Sequence, residues 1–466
     1  MRRPAIKSNI HPFSDVIVAG GGMAGIAAAI SAARGGAKTL LIEKAGWLGG
    51  MGITGATGLH SFFNIFGQYP GSERLRVVAG IAQELVDRVQ VMGGGVGHVL
   101  MERGLNFLNM ITPVEPETFK MAAIQLCQEA GVKLLFHTVI DEVRAVHGHI
   151  EGLVVWNKSG RSLIRAHQYI DCSGDGDVAA YAGAPYLLFK PGDPGAYSAG
   201  FTFRLCNIDL ACMEAGLEQR GLILHLAHAV KPGMQQPDLI RLGIDMQPFR
   251  EAGVEFAPDW FMASSIRPRE LTYCNCINYG PNDGLDTEAL TNAEVYLRGR
   301  MLEIGEFFRK NIPGCEACYV AGPAPSAGQR RGRAIRCEYE LTQADCVQAR
   351  QFDDQIGSFS FIDNPRDRVR DALAYGIPYR ALIPKGVDNL LVAGRMISVE
   401  LPAHNSTRNT VCCLLCGQAA GTAAALSAQQ SLAPWELDIQ QLQKTLIQAG
   451  VMLQPRPDPL PPQKES

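Results

Sequence analysis

Hydrophobic and polar positions sort this chain into short apolar runs that end in glycine and small-residue stretches with helical spacing. Val16 to Ala19 is a four-residue apolar run and predicts a buried strand. Ala24 to Ala33 follows as a helix of small residues, and Thr39 to Ile42 is a second apolar strand that stops at Glu43. Helices are predicted over Val77 to Met92 and over Glu117 to Gly131, where Gly131 is the stop. Lys133 to Phe136 reads as the next strand. Thr138 to Ile140, Val143 to Val146, Ile150 to Trp156 and Ser162 to Ala166 read as a β-meander inserted between two halves of one unit. Tyr169 to Asp171 is an apolar strand entering a small, glycine-bearing turn, with an alanine-rich helix from about Val178 and Asp175 or Asp177 as its cap.

From about Gly195 the character changes. Ser198 to Leu205 alternates like a strand with one exposed face, and Leu210 to His228 reads as a helix that would put His225 and His228 on one side. Leu271 to Ile277 is a strand, and Thr287 to Lys310 is a long amphipathic helix ended by Asn311-Ile-Pro-Gly. The apolar strand Asn389 to Val392 ends at Gly394-Arg395. A polar loop carrying Glu400, His404, Asn405, Ser406, Arg408 and Asn409 then leads into a helix over Thr410 to Ser427. The pattern predicts an α/β protein with a discontinuous Rossmann-like domain, formed by 13–195 and 368–452 and interrupted by the meander. A second α+β substrate or cap domain spans 196–367, residues 60–112 partly cover the site, and 1–12 and 453–466 are flexible arms.

Length agrees with this division, since 466 residues exceed what one compact core usually holds. A net charge of −3 offers no general field for nucleic acid or an anionic membrane. Met1 to Pro12 lacks the apolar region of a secretory signal, so a cytoplasmic setting is expected. Thr410 to Ala425 is the most membrane-like stretch, but it is short of the ~20 residues a span needs and reads better as a helix buried against a cofactor. Thirteen scattered cysteines do not form a disulfide framework. Neither Cys315-x-x-Cys318 nor Cys412-Cys413-x-x-Cys416 is completed into a metal pattern, and no metal is expected.

The chemistry starts at the first apolar strand. Gly20, Gly22 and Gly25 have the spacing of a dinucleotide turn: one for the tight bend, one for close approach to a pyrophosphate, one for helix–strand contact. Met23 and Ala24 open the helix, whose N-terminus favours phosphate. Glu43, 23 residues beyond Gly20, is placed to bind ribose hydroxyls. Lys44 and the glycines Gly46, Gly49 and Gly50, followed by Met51, extend the binding stretch. A nicotinamide site needs little such backbone, whereas a ribityl chain and a flavin ring need it. FAD is therefore the expected cofactor, with NAD the alternative. The cofactor-facing set is Gly20, Gly22, Met23, Ala24, Gly25, Glu43, Lys44, Gly49, Gly50, Met51, Val139, Ser173, Gly174, Asp175, Gly394, Arg395, Asn409, Thr410 and Val411. The N-terminus of the helix at Thr410 should face the part of the flavin that gains negative charge on reduction. No residue shows an attachment signature, so FAD is expected to be non-covalent, with His60 lining the pocket or packed in the core.

These residues resemble the FAD-dependent oxidoreductase family related to fumarate reductase and succinate dehydrogenase flavoproteins. The resemblance rests on Asp15 to Met51, Ile170 to Asp177, Gly328 to Thr342, Asn389 to Arg395 and Gly417 to Gly421. Family members often carry Thr-His-Glu-Ala-His after the Ala-Gly-Arg motif; here Glu400-Leu-Pro-Ala-His404 keeps one histidine. The family's arginine motif commonly has Arg-Glu, and Arg331 stands in the acid's place. The resemblance implies hydride transfer between flavin N5 and a small substrate, with His404 as acid/base or orienting group and Arg408 as charge stabiliser. An isomerase or lyase using transient oxidation, and a flavoprotein subunit of an electron-transfer complex, are the alternatives. Partners are expected to be a small-molecule substrate and a second copy or an electron-transfer protein, with no nucleic acid and no membrane span. Arg330, Arg331, Arg333 and Arg336 place four cations in seven residues, as an ion-paired junction or an anion anchor. Arg267, Arg269, Arg330 and Arg408 are the candidates for holding an acidic or strongly polar substrate.

Overall fold

The computed structural model describes residues 6–8, 12–54, 63–64, 75–101, 110–191, 199–230, 240–254, 260–280, 283–322, 324–360 and 374–457. Along the chain, β1 (Ser14–Ala19), α1 (Met23–Arg34) and β2 (Thr39–Ile42) come first, then α2 (Pro116–Glu129) and β3 (Lys133–Leu135). The meander follows as β4 (Val139–Val146), β5 (His149–Asn157) and β6 (Gly160–Ile164), and β7 (Ala166–Asp171) returns beside β1. The cap contributes β8 (Ala199–Cys206), β9 (Ile223–Val230), β10 (Ile240–Asp245), β11 (Trp260–Ser264), β12 (Glu270–Tyr279) and α3 (Thr287–Asn311). The chain then closes with β13 (Leu390–Val392), α4 (Leu401–Thr407) and α5 (Thr410–Gln430).

A five-stranded parallel sheet in the order β13-β7-β1-β2-β3 is the frame. Helices cover it, so Val16, Ile17 and Val18 are fully buried and the strand reads as an unbroken apolar run. α1 and α5 pack backbone to backbone. A methyl group placed on Gly417 would sit 2.1 Å from the Ala24 carbonyl oxygen, and one on Gly421 would sit 2.2 Å from that of Ala28. This contact explains the small residues in both helices. It also settles the character of α5, which at 21 residues is longer than its sequence suggests and is long and apolar enough to cross a membrane. Of its most apolar 18-residue window, 89% is buried inside the protein.

β4, β5 and β6 form the expected antiparallel meander, to which Lys7–Ser8 adds a parallel strand. Arg456–Pro457 pairs with Leu75–Arg76. Both pairings fall in arms that composition alone marks as loose. The cap is an eight-stranded sheet in which β8, β12, β11, β10 and β9 are consecutive, with Tyr319–Ala321 at one edge and Val99–Met101 and Met110–Ile111 at the other. Two apolar clusters are buried, one drawing on residues 16–184 and 335–451, the other on residues 199–324 beneath α3.

Four local readings change. Leu210–Gln219 is a helix, but His225 and His228 lie on β9, where three residues of spacing sends them to opposite faces. β8 is buried along most of its length rather than on one face. The polar loop after Arg395 contains the two-turn helix α4, started by Pro402 in its first turn. The helix Asp177–Tyr181 is capped by neither Asp175 nor Asp177: Gly176 occupies the cap position, and the Asp171 carboxylate accepts from the Ala179 amide.

Candidate active site

The three glycines of the first turn do different work. Gly20 has φ +104°, and a methyl group there would lie 2.4 Å from the Cys172 carbonyl oxygen; at Gly25 it would lie 1.8 Å from that of Gly20. Packing alone therefore demands glycine at both positions. Gly22 is different. Its backbone is extended (φ −73°, ψ −172°), and a methyl group would meet nothing within 4 Å. The open space lies at the N-terminus of α1, which has no side-chain cap and no acid in its first turn. Gly49 runs alongside Gly22, its amide donating to Gly21 O at 2.9 Å, and Gly50 (φ +50°) approaches the Gly22 Cα so closely that no side chain fits between. A cradle that the protein's own packing leaves open, facing unsatisfied helix N–H groups, fits a pyrophosphate.

Glu43 closes the β2 end of this cradle. Its Oε2 accepts from the Gly21 amide at 2.6 Å and its Oε1 from the Ala45 amide at 2.7 Å. A carboxylate has about four acceptor positions, so two remain for ribose hydroxyls. The role is thus double: Glu43 also ties the first turn to the loop that leads to Gly49. Glu43→Gln is accordingly expected to lower both FAD affinity and thermal stability, because the amide NH₂ faces a backbone N–H. Thermal unfolding of the cofactor-free variant checks this; a variant as stable as the wild type returns Glu43 to a purely ligand-binding role. Val139 is exposed at the start of β4, next to Thr138, whose amide donates to Glu43 O at 3.1 Å. Lys44 is exposed, Met51 starts the short helix Met51–Thr54, and His60 lies outside the described residues.

At the other end, β7 and β13 deliver two glycine turns side by side. Gly174 (φ +91°) lies against the Arg395 guanidinium, and Arg395 Nη2 donates to Asp175 Oδ1 at 2.8 Å. Ser173 donates its amide to Asp171 Oδ1 at 2.9 Å and accepts from the Asp177 amide through Oγ. Complete burial pushes the Asp171 carboxyl up to about 6, against the opposing effect of its hydrogen bonds. Arg333 donates to Asp177 Oδ1 at 2.7 Å and to Asp175 O at 3.0 Å, and Arg336 pairs with Glu340. Arg333 therefore ties its segment to the turn after β7, while Arg336 makes a local pair.

α4 turns His404 inward, where it is 1% exposed. Asn409, the cap residue of α5, makes no side-chain bond to its own helix; its amide group reaches back to Asn405 O and Ser406 O, and the first turn from Thr410 and Val411 holds no acid. Burial is the first cause that holds the His404 imidazole well below its ordinary range, and Arg331, Arg408 and Arg395 add to it in that order. A backbone hydrogen bond with Arg395 pulls weakly the other way, and Nδ1 has no hydrogen-bond partner. Phe189 stands 5.5 Å from the His404 ring and also 5.5 Å from the Arg331 guanidinium, whose Nη2 donates to Asn405 Oδ1 at 2.5 Å.

A family model described as FAD dependent oxidoreductase matches residues 15–446. The chain belongs to the FAD-dependent oxidoreductase family. FAD is its cofactor. Solved structures of similar fold include a geranylgeranyl bacteriochlorophyll reductase-like protein from Thermoplasma acidophilum, at 15% identity and TM-score 0.42 over 96% of this chain and 85% of that one. A flavin-dependent brominase matches at 11% identity and TM-score 0.47 over 93% and 84% of the two chains. The p-nitrophenol 4-monooxygenase of Pseudomonas putida DLL-E4 matches at 10% identity and TM-score 0.46 over 95% and 85%. No curated protein matches the sequence.

In this flavoprotein the turns that carry Gly22 with Glu43 and Gly174 with Arg395 come from motifs legible in the sequence. The imidazole chemistry does not. An ordinary histidine near 6.5 would suit proton transfer at neutral pH, but His404 is held neutral by burial and three arginines. Arg267 and Arg269 are exposed in the turn between β11 and β12, and Arg269 donates to Asn207. Arg330 lies beside Gly200. His225 contacts Met262 Sδ and His228 contacts Glu214, and no group of three or more His, Cys, Asp or Glu among the described residues is arranged for a metal. Phe189 was invisible as a site residue, because only the fold brings it to His404.

The low His404 pKa has a stability consequence. Below about pH 6.5 the unfolded chain takes up a proton that the native state refuses, so stability falls with pH at up to about 1.4 kcal/mol per unit. Asp171 has the opposite sign: between about 4 and 6 the native state keeps a proton that the unfolded chain has lost, so its contribution rises as pH falls. Comparing wild type with His404→Gln isolates the histidine. From pH 7 to 5.5 the wild type is expected to lose about 1 kcal/mol more than the variant by chemical denaturation; equal losses would mean that His404 titrates normally.

Proposed function

We propose that this flavoprotein transfers a hydride between FAD and a small, polar or acidic organic substrate. The observation that carries the reading is His404: buried, uncharged, with an open Nδ1, and set among Arg331, Arg395 and Arg408. FAD, when bound, supplies the hydride chemistry. Gly20, Gly22, Gly25, Glu43, Gly49, Gly50, Ser173, Gly174 and Arg395 would hold it, with the first turn of α5 toward its reducible end. His404 then orients substrate through Nδ1 as a neutral hydrogen-bonding group. Arg408 places a cation where charge develops on the substrate. Arg395 is committed to Asp175 and supports the cofactor side. Phe189 stacks beside both Arg331 and His404 and keeps water from the polar group between them.

The test is anaerobic mixing of the FAD-loaded protein with small hydroxy acids and with their amides, following the flavin absorption band. Acids are expected to bleach the flavin and amides to fail. Bleaching by neutral apolar compounds alone would overturn the reading.

A further inference from the structure

The cap sheet contains a buried cation that the flavin site does not use. Arg241 lies on β10 and is 8% exposed. It stands opposite Ser264 of β11 and Ala227 of β9, and Ser264 stands opposite Tyr273 of β12. Cross-strand partners share a face, so these residues form one row, with Gly243, Met262 and His225 as a parallel row beside it. The opposite face, carrying Leu242, Ala263 and Cys274, is the apolar core under α3. The Arg241 face is the one turned toward the FAD-binding domain. On it, Tyr273 Oη donates to the Val114 carbonyl, and Arg204 of β8 pairs with Glu115, the cap residue of α2.

Arg241 has an incomplete set of partners. Its Nη1 donates to Ser264 Oγ at 2.8 Å, while its Nε has no partner. Burial pushes the guanidinium down to about 10, with no carboxylate among the described residues acting on it. His225, on the same face, is at most a second cation and offers no counter-charge; burial first, and Arg241 second, push it down to about 4. A buried cation without a counter-ion is among the costliest features a fold can keep. The remaining Nε–Nη2 edge has the two parallel donors that a carboxylate takes side-on.

We infer that Arg241 anchors a carboxylate of the substrate on the inner face of the cap sheet. This deepens the acidic-substrate reading above and rests on it. One guanidinium matches one carboxylate charge; a phosphate would bring a second charge with no cation to meet it.

The experiment measures thermal unfolding of the FAD-loaded protein with benzoate, acetate, benzamide and inorganic phosphate. Benzoate or acetate is expected to raise the unfolding temperature, and benzamide and phosphate are not. In Arg241→Met the carboxylate dissociation constant should rise on the order of 100-fold. The unliganded variant should unfold no lower than wild type, because an apolar side chain of similar length replaces an uncompensated charge. Arg241→Lys should lose most of the affinity, since a point charge lacks the two-donor edge. A variant that unfolds lower and keeps the carboxylate response would overturn the inference, as would a wild type indifferent to carboxylates. If carboxylates bind through Arg241 and no acid bleaches the flavin, the hydride reading fails and the anchor stands. If acids bleach the Arg241→Met flavin as fast as wild type at limiting concentrations, the anchor fails alone.

Discussion

Gly22→Thr is expected to abolish FAD binding while leaving fold and stability unchanged. Most glycines of this motif cannot make the distinction. At Gly20 and Gly25 a side chain strikes backbone carbonyls, so loss of FAD there would only report a damaged fold. Gly22 has ordinary extended backbone and open space beyond its Cα, and it is the cap residue of α1. Threonine is an adequate helix cap, so stability should hold within a few tenths of a kcal/mol. Its hydroxyl and methyl would instead occupy the space before the helix N-terminus and satisfy an N–H group meant for phosphate. FAD titration of the cofactor-free protein is expected to show at least a 100-fold rise in dissociation constant, about 2.7 kcal/mol. Full FAD occupancy in the purified variant would place the pyrophosphate elsewhere.

Arg408→Met is expected to slow flavin reduction by substrate about 10²–10³-fold, the usual consequence of deleting one charge stabiliser, with FAD still bound. Arg408 caps the C-terminus of α4, one residue before the N-terminal cap of α5, so the change leaves the cradle around Gly22 and Arg395 intact. It also removes one of the cations acting on His404, so the imidazole should become easier to protonate. A two-part readout follows: slower single-turnover bleaching, and a His404 resonance that titrates at higher pH. An unchanged bleaching rate would remove Arg408 from the chemistry, and an unchanged titration would separate it from His404.

What could be read in advance divides by the range of the interactions. The β1–α1–β2 unit, its glycine turn and Glu43 are legible because each depends on neighbours a few residues away. The apolar run makes a strand, the small residues make a close-packed helix, and the glycines allow the bend. The meander and the strands ending at Asp171 and Val392 are legible for the same reason. The stretch containing His225 and His228 is not legible in this way: its apolar and polar spacing fits a helix locally, and only pairing with β10 makes it a strand.

The sequence by itself determined the family and the shape of the glycine turns, since backbone bends and close packing of helix on strand are local steric matters. Tertiary structure alone decided the electrostatics. Arg331 meets Asn405 across 74 residues of sequence, and Arg395 meets Asp175 across 220. A histidine's charge state depends on which cations and how much apolar surface surround it, and the worth of Arg241 depends on an anion that its neighbours do not supply. Field and desolvation sum over everything nearby in space, and no spacing along the chain encodes that sum.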